Sequence, residues 1–237
     1  MGQSNMVGFG IVQPDDRKPV PHVLQGLRSE TGVMWLPAAA PLQGPRFGLG
    51  LPFAKAYLET HPRVTVGLIS AAKGGTPIDG LKKGTKAYSD AITRAQAAQA
   101  QGVIKGVLWH QGESDTVTEA FADSYEEKLH LLIADIRKDL GNEDLPFIVG
   151  NLAEFYGTGK EHNHPDRVKR IDRVRNVLRS LPQKVRFAGF VESTGCKSAD
   201  HHMVHFDRAS YIVLGKRYAG VYGQIEDKDK TISSDNK

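Results

Sequence analysis

The residue types in this chain that suit chemistry gather where apolar strands end. Val103–Trp109 reads as a strand, and His110-Gln111-Gly112-Glu113-Ser114-Asp115 follows it directly. Gln side chains and glycine N–H groups are the parts from which oxyanion holes are built. Lys73-Gly74-Gly75-Thr76, after the strand-like Arg63–Ile69, either offers backbone N–H groups to an anion or is a plain strand-to-helix turn. It lacks the GxxxxGK[ST] spacing of a phosphate loop. A third cluster is Asp200-His201-His202-Met203-Val204-His205-Phe206-Asp207, with His162 and His164 upstream. Neighbouring ligands on a loop point apart and HExxH is absent, so no metal site is expected. His205 stands in a loop just before the last helix, a position from which an imidazole can act as a base.

The elements that must position these groups alternate. Leu51–His61 reads as a helix, Arg63–Ile69 as a strand, Thr85–Gln101 as a helix and Val103–Trp109 as a strand. Glu119–Leu140 is a long helix, with Tyr125, Leu129, Leu132, Ile133, Ile136 and Leu140 near helical period and Gly141-Asn142 as its stop. Leu145–Gly150 and Val185–Val191 read as strands around the helix Asp166–Leu181, and Arg208–Tyr222 closes the chain as a helix. This order predicts an α/β domain with a largely parallel sheet, whose site lies beyond the carboxyl ends of the strands. Residues 7–50, rich in Gly and Pro, read as one long irregular loop, a length that usually carries function. One domain is expected over 1–225 and a polar, disordered tail over 226–237.

Composition narrows the function. The 237 residues are 40% hydrophobic and 24% charged, which excludes wholesale disorder, and a single cysteine, Cys196, excludes an internal disulfide. No apolar run approaches a membrane span. The net charge of +4 is concentrated in 160–186, where nine Lys/Arg face three Asp/Glu. There Arg167, Lys169, Arg170, Arg173, Arg175 and Arg179 alternate with Val168, Ile171, Val174 and Leu178, the spacing of a solvated helix face rather than of a nucleic-acid surface.

Gly2-Gln3-Ser4-Asn5-Met6, Ala72-Lys73-Gly74-Gly75-Thr76, Trp109-His110-Gln111-Gly112-Glu113-Ser114-Asp115 and Val204-His205-Phe206-Asp207 stand in one order along the chain. These blocks resemble those of the SGNH hydrolases, and more narrowly the carbohydrate acetylesterase and sialate O-acetylesterase branch. The resemblance implies a flavodoxin-like three-layer α/β/α sandwich and hydrolysis of O-acetyl esters on sugars, without metal or cofactor. It implies Ser4 as nucleophile, His205 as base, and an oxyanion hole from the N–H groups of Ser4 and Gly75 (or Gly74) with the Gln111 side chain. The partner implied is an acetylated carbohydrate of acetylxylan or sialate type, not a nucleic acid or a membrane.

Two features depart from that pattern. The family's acid lies three residues before the histidine, where this chain has His202; Asp200, five residues before, and Glu113 are the two candidates to orient His205. Asp207 is expected to cap the last helix. Family members also open with a strand that delivers the serine, and only Met1 precedes Gly2, so that first strand is expected to be missing. A leader lost with it would mean a secreted or periplasmic protein, and otherwise a cytoplasmic one is expected. Arg46, Trp35 and Asn151 are candidates to line the substrate cleft, with His110 and Asn151 supporting the site. The competing readings are a catalytically impaired carbohydrate-binding member of the same fold and a basic nucleic-acid-binding domain.

Overall fold

A computed structural model describes the backbone of residues 1–30 and 32–235, and side chains up to residue 227. In chain order it runs α1 (Ser4–Val7), β1 (Val23–Ser29), β2 (Gly32–Pro37), α2 (Gly50–Thr60), β3 (Val66–Leu68), α3 (Lys86–Gln99), β4 (Val107–Trp109), α4 (Glu119–Asp139), β5 (Phe147–Gly150), α5 (Pro165–Lys184), β6 (Ala188–Val191) and α6 (Arg208–Asp235). The strands form two three-stranded sheets, ordered β2-β1-β3 and β4-β5-β6. All pairs are parallel except the β1–β2 hairpin.

The alternation read from the sequence is present, with strands shorter than expected. The hairpin is not: residues 7–50 were expected as irregular loop and instead carry β1 and β2. Gly26 and the Gly32 turn hide the alternation there. Trp35 lies on β2 with its ring against Gly26 and Gly67, so it covers the sheet and does not reach the cleft. The tail expected to be disordered from Glu226 is helical backbone to Asp235, while its side chains from 228, and residues 236–237, lie outside the described residues.

Helices α2 and α6 pack together against β1, β3, β5 and β6, while α3 packs on β1 and β2 and α4 and α5 pack together beside β6. With the sheet between them these make the three layers. Helix α4 begins where the Thr118 hydroxyl accepts from the Phe121 N–H, and it buries Tyr125, Leu129, Leu132, Ile133 and Ile136. Strand β5 is buried along its whole length, as a central parallel strand must be. The basic residues of α5 work within the molecule. Arg170 donates to Thr116 O, Arg175 to Ala153 O and Tyr156 O, and Arg173 pairs with Glu119.

The two half-sheets meet through the first three residues. Gly2 makes parallel bridges to both Ala72 and His110. The Gln3 N–H donates to His110 O at 2.9 Å, the His110 N–H to Met1 O at 3.2 Å, and the Lys73 N–H to Gly2 O at 2.9 Å. Gly2 has φ +140°, and a Cβ there would lie 2.2 Å from His110 O, so no other residue fits. Before this contact the strands part. A cavity of about 440 Å³ separates β3 from β4, walled by Met1, Val66, Leu68, Ala91, Ala95 and Leu108. Met1–Gln3 join the two sheets at the edge of this cavity.

Candidate active site

Ser4 follows directly from that junction and opens the single turn α1. Its Oγ stands 3.0 Å from Nε2 of His205, two residues that are 201 positions apart in the chain. The other imidazole nitrogen, Nδ1, is 3.6 Å from Oδ2 of Asp200. That is ion-pair range and slightly beyond a hydrogen bond. Burial lowers the His205 pKa, and Asp200 opposes the shift. The loop carrying His205 also binds itself: the Ala199 N–H donates to His205 O at 2.8 Å, and the Asp207 N–H to Lys197 O at 2.9 Å. Asp207 accepts from the Ser210 N–H at 2.7 Å, which is the cap expected of it.

Asn5 holds the serine turn and the histidine loop together. Its Nδ2 donates to Glu113 Oε1 at 2.6 Å and to Val204 O at 3.0 Å, while its Oδ1 accepts from the Phe206 N–H and the Tyr211 hydroxyl. Val204 and Phe206 flank His205, so one buried amide grips the backbone on both sides of that histidine. Glu113 is therefore brought to the site, but its contact is with Asn5 rather than with the imidazole. Burial raises the Glu113 pKa, with Asp115 adding to the shift.

Gln111 is fully buried beneath this layer. Its Nε2 donates to Asp115 Oδ2, to Gln3 Oε1 and to Thr76 O. The expected place of that amide is at a substrate carbonyl, whereas here its donors are committed to the floor of the site. Gln3 Oε1 also accepts from the Ser114 N–H, and Asp115 Oδ2 from the Ile78 N–H. Burial pushes Asp115 up to about 6, against its hydrogen bonds to Gln111 and Ile78. Gly74 lies beside Ser4, since a Cβ on it would stand 3.9 Å from the serine Cβ, and Gly75 is open on its own side.

The remaining candidates divide. His110 is fully buried, held neutral by burial with its pKa lowered to about 3, and its Nδ1 meets the Tyr218 hydroxyl at 3.1 Å. Asn151 is buried at the end of β5 and donates to Glu192 Oε2, away from the Ser4–His205 pair. Arg46 is exposed at the rim, with its guanidinium 4.9 Å above the Phe9 ring. Among the described residues, no group of three or more His, Cys, Asp or Glu is placed to hold a metal ion. Sequence reasoning assigned no role to Asn5, Gln3, Phe9 or Tyr211. Asn5 and Gln3 stood inside a quoted motif, but the partners of Phe9 and Tyr211 lie about 200 residues away, where no local pattern reaches.

Comparison with known proteins follows the same outline. Residues 1–224 match the family model described as carbohydrate esterase, sialic acid-specific acetylesterase. A probable carbohydrate esterase of Arabidopsis thaliana is 35% identical over 178 residues, covering 66% of this chain and 68% of that protein. The crystal structure of an Arabidopsis thaliana protein superposes with a TM-score of 0.79 at 26% identity, covering 94% of this chain and 95% of the other. A protein described as NanS superposes with a TM-score of 0.73 at 17% identity over 96% of both chains, and so shares the fold.

Proposed function

The chain belongs to the sialic acid-specific acetylesterase family of carbohydrate esterases, a family of carboxylic ester hydrolases, and from that premise we propose that it cleaves O-acetyl groups from carbohydrates by a serine-acyl mechanism. The observation that carries this reading is the 3.0 Å contact between Ser4 Oγ and His205 Nε2. A serine hydroxyl is a weak nucleophile until a base removes its proton, and a neutral imidazole does so near pH 7. Ser4 Oγ attacks the acetyl carbonyl as His205 Nε2 takes the proton. The tetrahedral intermediate collapses, and His205 gives that proton to the departing sugar oxygen. Water then attacks the acetyl-serine with His205 again as base, releasing acetate and restoring Ser4.

The charge that builds on the carbonyl oxygen meets the backbone N–H groups of Ser4 and of Gly75 or Gly74 in this reading. Gln111 keeps the floor in place through Gln3, Thr76 and Asp115. Asp200 faces Nδ1 and orients the imidazole, and Glu113 acts through Asn5. The acetylated sugar enters at the exposed rim near Arg46. Xylan-type and sialate-type esters are both within the class.

The test is acetate release from p-nitrophenyl acetate, acetylated xylan and an O-acetylated sialic acid, wild type against Ser4→Ala and His205→Ala. Each substitution is expected to cost at least about a thousandfold in kcat, with effects that do not add. A fluorophosphonate should label Ser4 in the wild type and not in Ser4→Ala; a folded wild type that neither labels nor turns over sinks the mechanism. The acid limb of kcat/KM should fall below the ordinary imidazole range, because burial keeps His205 unprotonated to lower pH. Asp200→Asn should lower kcat about tenfold or more. Glu113→Gln, which keeps an acceptor toward Asn5, should cost less; the reverse order would move the orienting role to Glu113.

A further inference from the structure

His205 has two ring edges and two faces, and the reading above uses only the edges. One face is covered: the Phe9 ring lies 3.9 Å from the imidazole, centroid to centroid, at an interplanar angle of 10°. The Arg46 guanidinium also stands over the Phe9 ring, 4.9 Å from its centroid. Phe9 is thus in contact with both the imidazole and the exposed Arg46.

Phe9 is built into this place. Gly10 and Phe47 exchange both backbone hydrogen bonds, at 3.0 and 2.8 Å, which ties the segment after α1 to the loop bearing Arg46. Gly8 has φ +105°, and a Cβ on it would lie 2.5 Å from Phe47 O, so the chain leaves α1 in a turn that only glycine allows. Arg208, paired with Asp16, lies 5.0 Å over the Phe47 ring and anchors the same loop from the side of α6. The Phe9 side chain thus hangs from a fixed backbone.

We propose that Phe9, in contact with Arg46, is a positioning residue that fixes the plane of the His205 imidazole, so that Nε2 stays on Ser4 while Nδ1 stays toward Asp200. Two in-plane contacts alone do not fix that ring. The 3.6 Å contact to Asp200 orients Nδ1 within the ring plane but does not stop the ring tilting out of it, and the Val204 and Phe206 grips act on backbone. A flat apolar face is the missing constraint, since it resists tilting without competing for either nitrogen. The imidazolium formed during attack and the Arg46 guanidinium are like charges that both lie against Phe9, so Arg46 disfavours the protonated base by repulsion. The charged and titratable groups around the ring are Ser4 and Asp200 at its edges, His202 (itself 3.3 Å from Glu161), Arg46 over Phe9, and Glu113 behind Asn5.

This inference rests on the esterase reading for its kinetic arm and stands apart from it in a spectroscopic one. In kinetics with p-nitrophenyl acetate, Phe9→Leu should lower kcat about tenfold to a hundredfold with KM within about twofold. Phe9→Tyr, which restores the flat face, should recover most of that loss. Arg46→Met should move the acid limb of kcat/KM toward higher pH. In NMR spectra the His205 ring protons should lie upfield through the ring current of Phe9, shift downfield in Phe9→Leu, and remain upfield in Phe9→Tyr. Full activity in Phe9→Leu, a loss confined to KM, or no recovery in Phe9→Tyr would overturn the positioning role. Should Phe9→Leu not fold, Phe9→Met is the substitute and is held to the same result. A wild type without turnover overturns the esterase reading alone, because the histidine shifts still decide whether the stack exists.

Discussion

The two sides of Gly2 are built on opposite principles. Toward Gln3, Ser4 and Asn5 the chain enters a lattice of buried amides and carboxyls, in which Asn5 alone joins Glu113, Val204, Phe206 and Tyr211. Toward Met1 it meets a cavity of about 440 Å³ walled mainly by small and aliphatic side chains, with Phe53, Tyr57 and Tyr222 among them. Buried polar groups must find partners at set distances and angles, so a polar lattice tolerates one geometry. Apolar walls around an empty volume have no such requirement and can repack. The Ser4–His205 pair is therefore held by the stiff side of the junction. The adaptable side contributes only the strands' carboxyl ends.

The largest effect should come from breaking the junction itself. Gly2→Ala would place a Cβ 2.2 Å from His110 O, and its expected cost is at least about 3 kcal/mol in chemical denaturation, with activity lost in proportion to the unfolded fraction. Native stability in that variant would show that the adaptable side absorbs strain for both.

A smaller effect sharpens the stiff side. The His110 pKa is about 3 in the fold and near 6.5 in an unfolded chain, so between those values only the unfolded state carries the proton. Stability from His110 is therefore present above pH 6.5 and is lost as pH falls, at about 1.4 kcal/mol per unit. Asp115, raised to about 6, slopes the other way between 3.8 and 6, because the fold takes its proton first. The difference between wild type and His110→Asn isolates the histidine: unfolding free energies at pH 7, 6 and 5 should converge or cross as pH falls. Parallel curves would mean that His110 is solvated.

The smallest effect tests the adaptable side. Ala95→Leu adds three carbons to a wall of the cavity and should raise stability by about 1 kcal/mol, read as a higher Tm. The same addition on the polar side of the junction has no room. A destabilised Ala95→Leu would mean that the cavity is as rigid as the site.

Much of this was legible along the chain. Long periodic segments such as Glu119–Asp139 announced themselves, because an amphipathic helix repeats its apolar face every three to four residues. Gln111, Glu113 and His205 stood out by type and place, at a strand end or before the last helix, while Ser4 was marked only by the resemblance of its motif block to a known family. The hairpin Val23–Pro37 was hidden: Gly26 interrupts its alternation, and half of its support comes from β3 and α3 rather than from its own pattern. Glu113 and Asp200 could not be ranked, because the choice depends on which carboxylate lies nearer Nδ1 and which lies against Asn5.

Residue types and order by themselves determined the α/β class and the strand ends where polar groups collect, and the motif blocks' resemblance to a known family pointed to Ser4 and His205. Local periodicity and short-range motif spacing encode those properties, and neither needs a distant contact. Tertiary structure alone decided that Ser4 and His205 meet at 3.0 Å, that Gln111 faces the floor, and that Phe9 covers the His205 ring. Those are relations between residues up to two hundred positions apart. Their distances follow from how the two half-sheets close on Gly2, a three-dimensional constraint with no counterpart in any single stretch of the chain.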